Sequence, residues 1–68
     1  MQNNLKHKRE QQGITQEQLA NLVGVSRQSI ISIEKGHYVP TTVLALKLAS
    51  ALMATVEDVF ILEIKDWA

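Results

Sequence analysis

The 68 residues are 46% hydrophobic with only three aromatics, which implies one domain spanning 1–68 with an aliphatic core, too shallow for a catalytic cavity and marginal enough to gain from a partner chain. Cysteine is absent, excluding disulfides and Cys-based metal sites. The polar opening Met1-Gln2-Asn3-Asn4 and the lack of any span-length apolar run exclude a secretory signal and a membrane anchor, which points to the cytoplasm. Net charge is zero, yet residues 1–40 carry five Lys/Arg against three acids, a balance of +2, while 41–68 carry two against four, a balance of −2; this asymmetry suits a molecule with one face turned to a polyanion.

Stop and start residues divide the chain into helices. Asn3 or Asn4 caps a first helix that contains Leu5, runs to about Gln12 and stops at Gly13. Thr15-Gln16-Glu17-Gln18 has the form of a capping box and opens a second helix ending near Val23. Gly24 supplies a tight turn. Ser26 caps a third helix to about Lys35, closed by Gly36. Thr41, after Pro40, caps a fourth helix to about Leu52, apolar over most of its circumference and so expected at the centre of the core. Thr55-Val56-Glu57-Asp58 opens a short fifth helix with its acids at the positive end of the dipole. In the tail from Ile61 to Ala68, Leu62 and Ile64 alternate with Glu63 and Lys65. That is strand periodicity over a short stretch, and a helical extension is the other reading.

From Gln16 to Lys35 the chain meets the demands of a helix-turn-helix. Ala20 is small where two helix backbones approach, Gly24 tolerates positive φ in the turn, and Leu19, Val23, Val25, Ile30 and Ile33 present apolar side chains to one core. At about 100° per residue, Ile30 and Ile33 of the third helix face inward while Arg27, Gln28 and Ile31 face outward, with Ser26 at the N-terminus and Ser32 on the flank. An exposed Arg-Gln pair at that position suits the DNA major groove. Arg forks onto guanine O6 and N7, and Gln onto adenine N6 and N7. Ile31 either meets a thymine methyl or is a tolerated surface residue. Gln16, at the start of the second helix, has a side-chain amide and free backbone N–H groups for a phosphate.

The strings Thr15-Gln16-Glu17-Gln18-Leu19-Ala20, Val23-Gly24-Val25-Ser26-Arg27-Gln28-Ser29-Ile30 and Ile33-Glu34-Lys35-Gly36 resemble the lambda-repressor/Cro (XRE) type of helix-turn-helix regulators over roughly residues 5–61. Length and tail look closest to small stand-alone repressors of Gram-positive bacteria such as the cytolysin repressor. The resemblance implies a compact all-α five-helix domain, in some short members with a small β-strand pair from the chain ends, that binds a palindromic double-stranded operator as a homodimer. It places the loop with Lys35, His37 and Tyr38, and Thr42 at the start of the fourth helix, along the DNA backbone; for Tyr38 a partly buried loop anchor is the other reading. It also implies a structural ion pair, Arg9–Glu34, between the first helix and the end of the third. Glycine is common in the family near Met53, so the turn there is expected to differ.

One small domain cannot easily bury Phe60, Ile61, Leu62, Ile64 and Trp67 as well as the fourth helix. A dimer seam on these residues is the expected use of the surplus, with Phe60 shared with the protomer core. Chemistry is not expected. There is no cysteine nucleophile, paired acids in a cleft, glycine-rich phosphate loop, or histidine set beside a serine and an acid. His7 and His37 lack companions for a metal, and no cofactor is implied. The competing reading is a protein-binding module, such as the antitoxin of a toxin pair or the target of an antirepressor.

Overall fold

The computed structural model describes residues 1–68 in the order β1 (Gln2–Asn3), α1 (Leu5–Gln11), α2 (Gln16–Val23), α3 (Arg27–Glu34), α4 (Thr42–Ala51), α5 (Val56–Val59), β2 (Phe60–Ile61) and a 3₁₀ turn (Ile64–Trp67). No helix is long and apolar enough to cross a membrane. Four helices begin on a hydroxyl that accepts an otherwise orphan backbone N–H: Thr15 from Gln18, Ser26 from Ser29, Thr41 from Leu44 and Thr55 from Asp58, at 3.0–3.2 Å. Each such cap contributes about 1 kcal/mol. In α2 and α5 the cap is reciprocal, with the Gln18 amide oxygen and the Asp58 carboxylate accepting the Thr15 and Thr55 N–H groups. The Thr55 backbone N–H, then the Thr55 hydroxyl, hold the Asp58 carboxyl below its ordinary value of 3.8.

The first helix takes its N-terminal side-chain bond from one of the two expected asparagines, Asn3. Asn4 occupies the cap position but its side chain makes no cap bond. Instead Asn3 Oδ1 accepts the Leu5 N–H at 3.1 Å, and the Asn4 amide donates to the Asp58 carbonyl at 3.3 Å.

The core is one aliphatic cluster. Leu5, Leu19, Ile30, Ile33, Leu48, Leu52 and Val59 are fully buried, joined by Ala20, Val23, Leu44, Ala49 and Phe60. Val25 is half-buried against it. The tight turn after α2 is built by Gly24 at φ 79° and by the Ala20 carbonyl, which accepts both the Gly24 and Val25 N–H groups. Helix α4 enters the core by one face only, through Leu44, Leu48 and Ala49, with Leu52 buried at its C-cap. Val43 and Leu46 stand 64% and 56% exposed, so its all-round apolarity is not matched by all-round burial. Ten residues at helical pitch turn half their side chains away from a core this small.

The tail corrects the strand reading. Strand pairing is confined to Phe60 and Ile61, which lie antiparallel to Asn3 and Gln2. From Glu63 the chain coils: the Glu63 N–H donates to Asp66 Oδ2 at 2.8 Å and the Asp66 N–H returns to the Glu63 carbonyl at 2.9 Å. This local exchange wins over the alternation because the tail has no further strand to pair with. The Met1 ammonium lies 2.9 Å from Glu63 and 3.1 Å from Asp66, which raises its pKa, chiefly through the hydrogen bond to Glu63.

Between α4 and α5 the chain turns through Met53 at φ 55°, the left-handed region that glycine occupies without steric cost. Met53 is 85% exposed, so its side chain contributes little packing to offset the strain. Met53→Gly is expected to raise stability by about 0.5–1 kcal/mol, read as a higher urea midpoint at unchanged slope. A lower midpoint would mean that the thioether contributes more than the backbone strain costs.

Candidate nucleic-acid interface

The second helix of the helix-turn-helix, α3, is held at both ends. At its start Ser26 Oγ takes the Ser29 N–H at 3.1 Å and lies 3.0 Å from Ser29 Oγ. At its end Glu34 sits in a web of donors. Arg9 Nε lies 2.7 Å from Glu34 Oε2, and the Gln16 amide donates to Glu34 Oε1 at 3.1 Å. Arg9 Nη1 also donates to the Ile14 carbonyl at 2.9 Å. The Arg9 and Glu34 side chains are 10% and 5% exposed, and no buried side-chain polar atom lacks a partner. One carboxylate thus binds α1, the start of α2 and the end of α3. Because Arg9 and Glu34 neutralise each other, the free cations of the first forty residues are Lys6, Lys8, Arg27 and Lys35.

The outward face of α3 carries Arg27 and Gln28, both exposed, with exposed Ser26 before them. Ile31 and Ser32 are half-buried, so Ile31 does not project as freely as the helical wheel alone places it. Ser26, Gln28, Ser29, Ser32 and Tyr38 line one shallow cleft of about 260 Å³. The structure therefore brings Tyr38, from the loop, beside three of the proposed base-reading residues. Ser29 belongs to this cleft although helical periodicity sets it away from the face that carries Arg27.

The other candidates are dispersed. Gln16 is half-buried, its amide turned to Glu34. Lys35 is exposed in a recess with Gln2, Asn3 and Gly36. The exposed His37 donates its backbone N–H to the Ser32 carbonyl at 2.9 Å. Thr42, the first residue of α4, borders an apolar groove of about 790 Å³ with Val39, Leu46, Val56 and Phe60. Of the tail residues, Phe60 is buried in the protomer, while Ile61, Leu62, Ile64 and Trp67 are 39%, 60%, 93% and 78% exposed. No cluster of His, Cys, Asp and Glu could hold a metal ion.

The family model for helix-turn-helix domains matches residues 5–58. The chain belongs to the XRE type of helix-turn-helix transcriptional regulators. This regulator is 49% identical over 63 residues, 93% of its length and 96% of the relative's, to the uncharacterised HTH-type transcriptional regulator YgzD of Bacillus subtilis. It is 51% identical, with the same coverage, to an uncharacterised HTH-type regulator of Methanocaldococcus jannaschii. Its fold is similar to the restriction-modification controller protein C.AhdI of Aeromonas hydrophila, with TM-score 0.77, 36% identity, and 82% of this chain and 85% of that one covered. It is also similar to the DNA-binding domain of the P22 c2 repressor, with TM-score 0.75, 28% identity, and 78% and 70% covered. The regulator is a DNA-binding protein of a non-enzymatic kind of family.

The shielding of Arg9 and Glu34 makes their attraction more than a surface ion pair, because removing one partner strands the other out of water. Glu34→Ala is expected to destabilise the regulator by about 3–5 kcal/mol, against less than about 0.5 kcal/mol for the exposed Glu17→Ala. Urea midpoints measure the contrast. Equal midpoints would leave the pair without structural weight.

Proposed function

We propose that this regulator is a repressor that binds a palindromic operator as a homodimer, residues 1–68 forming one DNA-binding domain and the tail from residue 61 its assembly segment. The observation that carries the reading is the exposed Arg27-Gln28 pair on the first turn of a helix fixed at both ends. Arg27 and Gln28 read base edges in the major groove, with Ser26, Ser32 and Ile31 contributing at the margins. Half-burial leaves Ile31 enough surface to meet a thymine methyl.

Gln16, Lys35, His37, Tyr38 and Thr42 hold phosphates. These contacts set register and orientation and carry no sequence information of their own. One amide hydrogen of Gln16 is engaged by Glu34, and the second remains for a phosphate oxygen. The P22 c2 protein, whose DNA-binding domain this fold resembles, is a repressor, which supports the same role here.

Assembly follows from geometry. One recognition helix contacts too few base pairs to single out an operator in a genome. A two-fold pair doubles the contacts and sets the two helices about 34–36 Å apart. Ile61, Leu62, Ile64 and Trp67 form an exposed apolar run, continued through Phe60 into the groove beside Val39, Leu46 and Val56. That surface is the seam. It reaches α3 only at the C-terminal end, where Asn3 bonds the Ile33 carbonyl; six residues of helix, roughly 9 Å, then separate the seam side from Arg27.

Two sets of measurements test the reading. Arg27→Ala is expected to lose about 1–3 kcal/mol of operator affinity and to relax preference at one base pair per half-site, while Gln16→Ala weakens all duplexes about equally. Competition binding against single-base operator variants checks both, and an unchanged preference profile for Arg27→Ala overturns its role. Replacing Ile61 and Leu62 together by glutamate is expected to give a monomer in sedimentation that has lost cooperative binding to a palindrome. A double variant that remains a dimer of unchanged strength puts the seam elsewhere.

A further inference from the structure

Asn3 makes the one side-chain hydrogen bond between the tail ribbon and the recognition helix. Its backbone pairs with Phe60. Its Nδ2 donates 2.9 Å to the carbonyl of Ile33 in the last turn of α3, and its Oδ1 accepts the Leu5 N–H at the start of α1. The next residue fastens the same corner, with the Asn4 N–H 2.7 Å from the Val59 carbonyl. A ribbon of two residues per strand is too short to hold its own geometry. Its orientation toward α3 must therefore come from such pins.

We infer that Asn3 is a positioning residue that sets the angle between the tail and the recognition helix, and so the half-site spacing that a dimer accepts. The inference rests on the tail being the seam and α3 the DNA reader. Each protomer then has a lever running from seam to ribbon to α3. One added base pair moves a half-site by about 3.4 Å and turns it by about 35°, so a stiff lever accepts one spacing and a slack one accepts several. The Asn3 amide stiffens the lever without being needed to satisfy α3, because the Ile33 carbonyl also accepts the Gly36 N–H at 2.9 Å. Its loss orphans no buried acceptor.

Asn3→Ser tests this cleanly. A serine hydroxyl can still accept the Leu5 N–H, as Ser does in local turns, but is too short to reach Ile33. Asn3→Asp is the second variant, keeping the shape and the Leu5 bond while setting a carboxylate oxygen against the Ile33 carbonyl. Ala51→Gly, which weakens α4 away from the ribbon, controls for stability. The probe is a duplex selected from random DNA by the wild-type chain, remade with its half-sites one base pair closer and one farther apart.

Asn3→Ser is expected to remain a dimer in sedimentation, to bind the selected spacing roughly threefold to tenfold more weakly, and to discriminate less against the altered spacings. Asn3→Asp shows the same pattern more strongly, and Ala51→Gly keeps the wild-type profile. Undiminished spacing discrimination in both Asn3 variants, with the palindrome still bound, overturns this inference alone, as does loss of the dimer on Asn3→Ser. A wild-type chain that selects no palindrome overturns the operator reading, and this inference with it.

Discussion

The carboxylate of Glu34 is the point on which the rest of the molecule depends. Three helices that share little backbone hydrogen bonding meet there, because one shielded anion accepts from Arg9 and from Gln16. An isolated buried charge would be costly. The pair is tolerable because each partner is satisfied: Arg9 spends a further donor on the Ile14 carbonyl, and the last helical turn of α3 delivers Glu34 to it. Hydrophobic contact alone would hold α3 against α2 but would leave it free to roll. The directed bonds fix its rotation, and rotation decides which residues face outward.

The same web explains the character of Gln16. A glutamine at the first position of a helix ordinarily samples many rotamers. Here Glu34 holds its amide, so the ordering entropy for that side chain is met on folding. Structural support and the proposed phosphate contact fall to one side chain, because a chain of 68 residues has few side chains to assign to separate tasks.

Size also explains the apolar residues left in water. The core closes around twelve hydrophobic side chains, and α4 and the tail carry more than it can take. Phe60 folds inward while Ile61, Leu62, Ile64 and Trp67 do not. Within β2 successive residues point to opposite faces, which separates buried Phe60 from exposed Ile61, and beyond it the short 3₁₀ turn has no buried residue. Together with the apolar groove beside α4 and α5, these exposed residues leave the individual chain an incomplete burial problem, which the proposed dimer would complete.

What the sequence by itself determined are the features set by neighbours within a few residues. The four hydroxyl caps, the turn at Gly24 and the inward stripe from Leu19 to Ile33 were all legible, because capping and helical periodicity act over one or two turns. The Arg9–Glu34 pairing was legible only through family resemblance, since 25 residues separate the partners and no local pattern links them. Tertiary structure alone decided that Asn3 rather than Asn4 serves α1, that Gln16 joins the Glu34 web, that Ile31 is half-buried and that Leu46 is exposed. It also limited the strand to Phe60–Ile61. Each of these outcomes turns on which distant surface a side chain meets once the helices have packed, and a periodicity computed along one helix carries no information about the helix that arrives beside it.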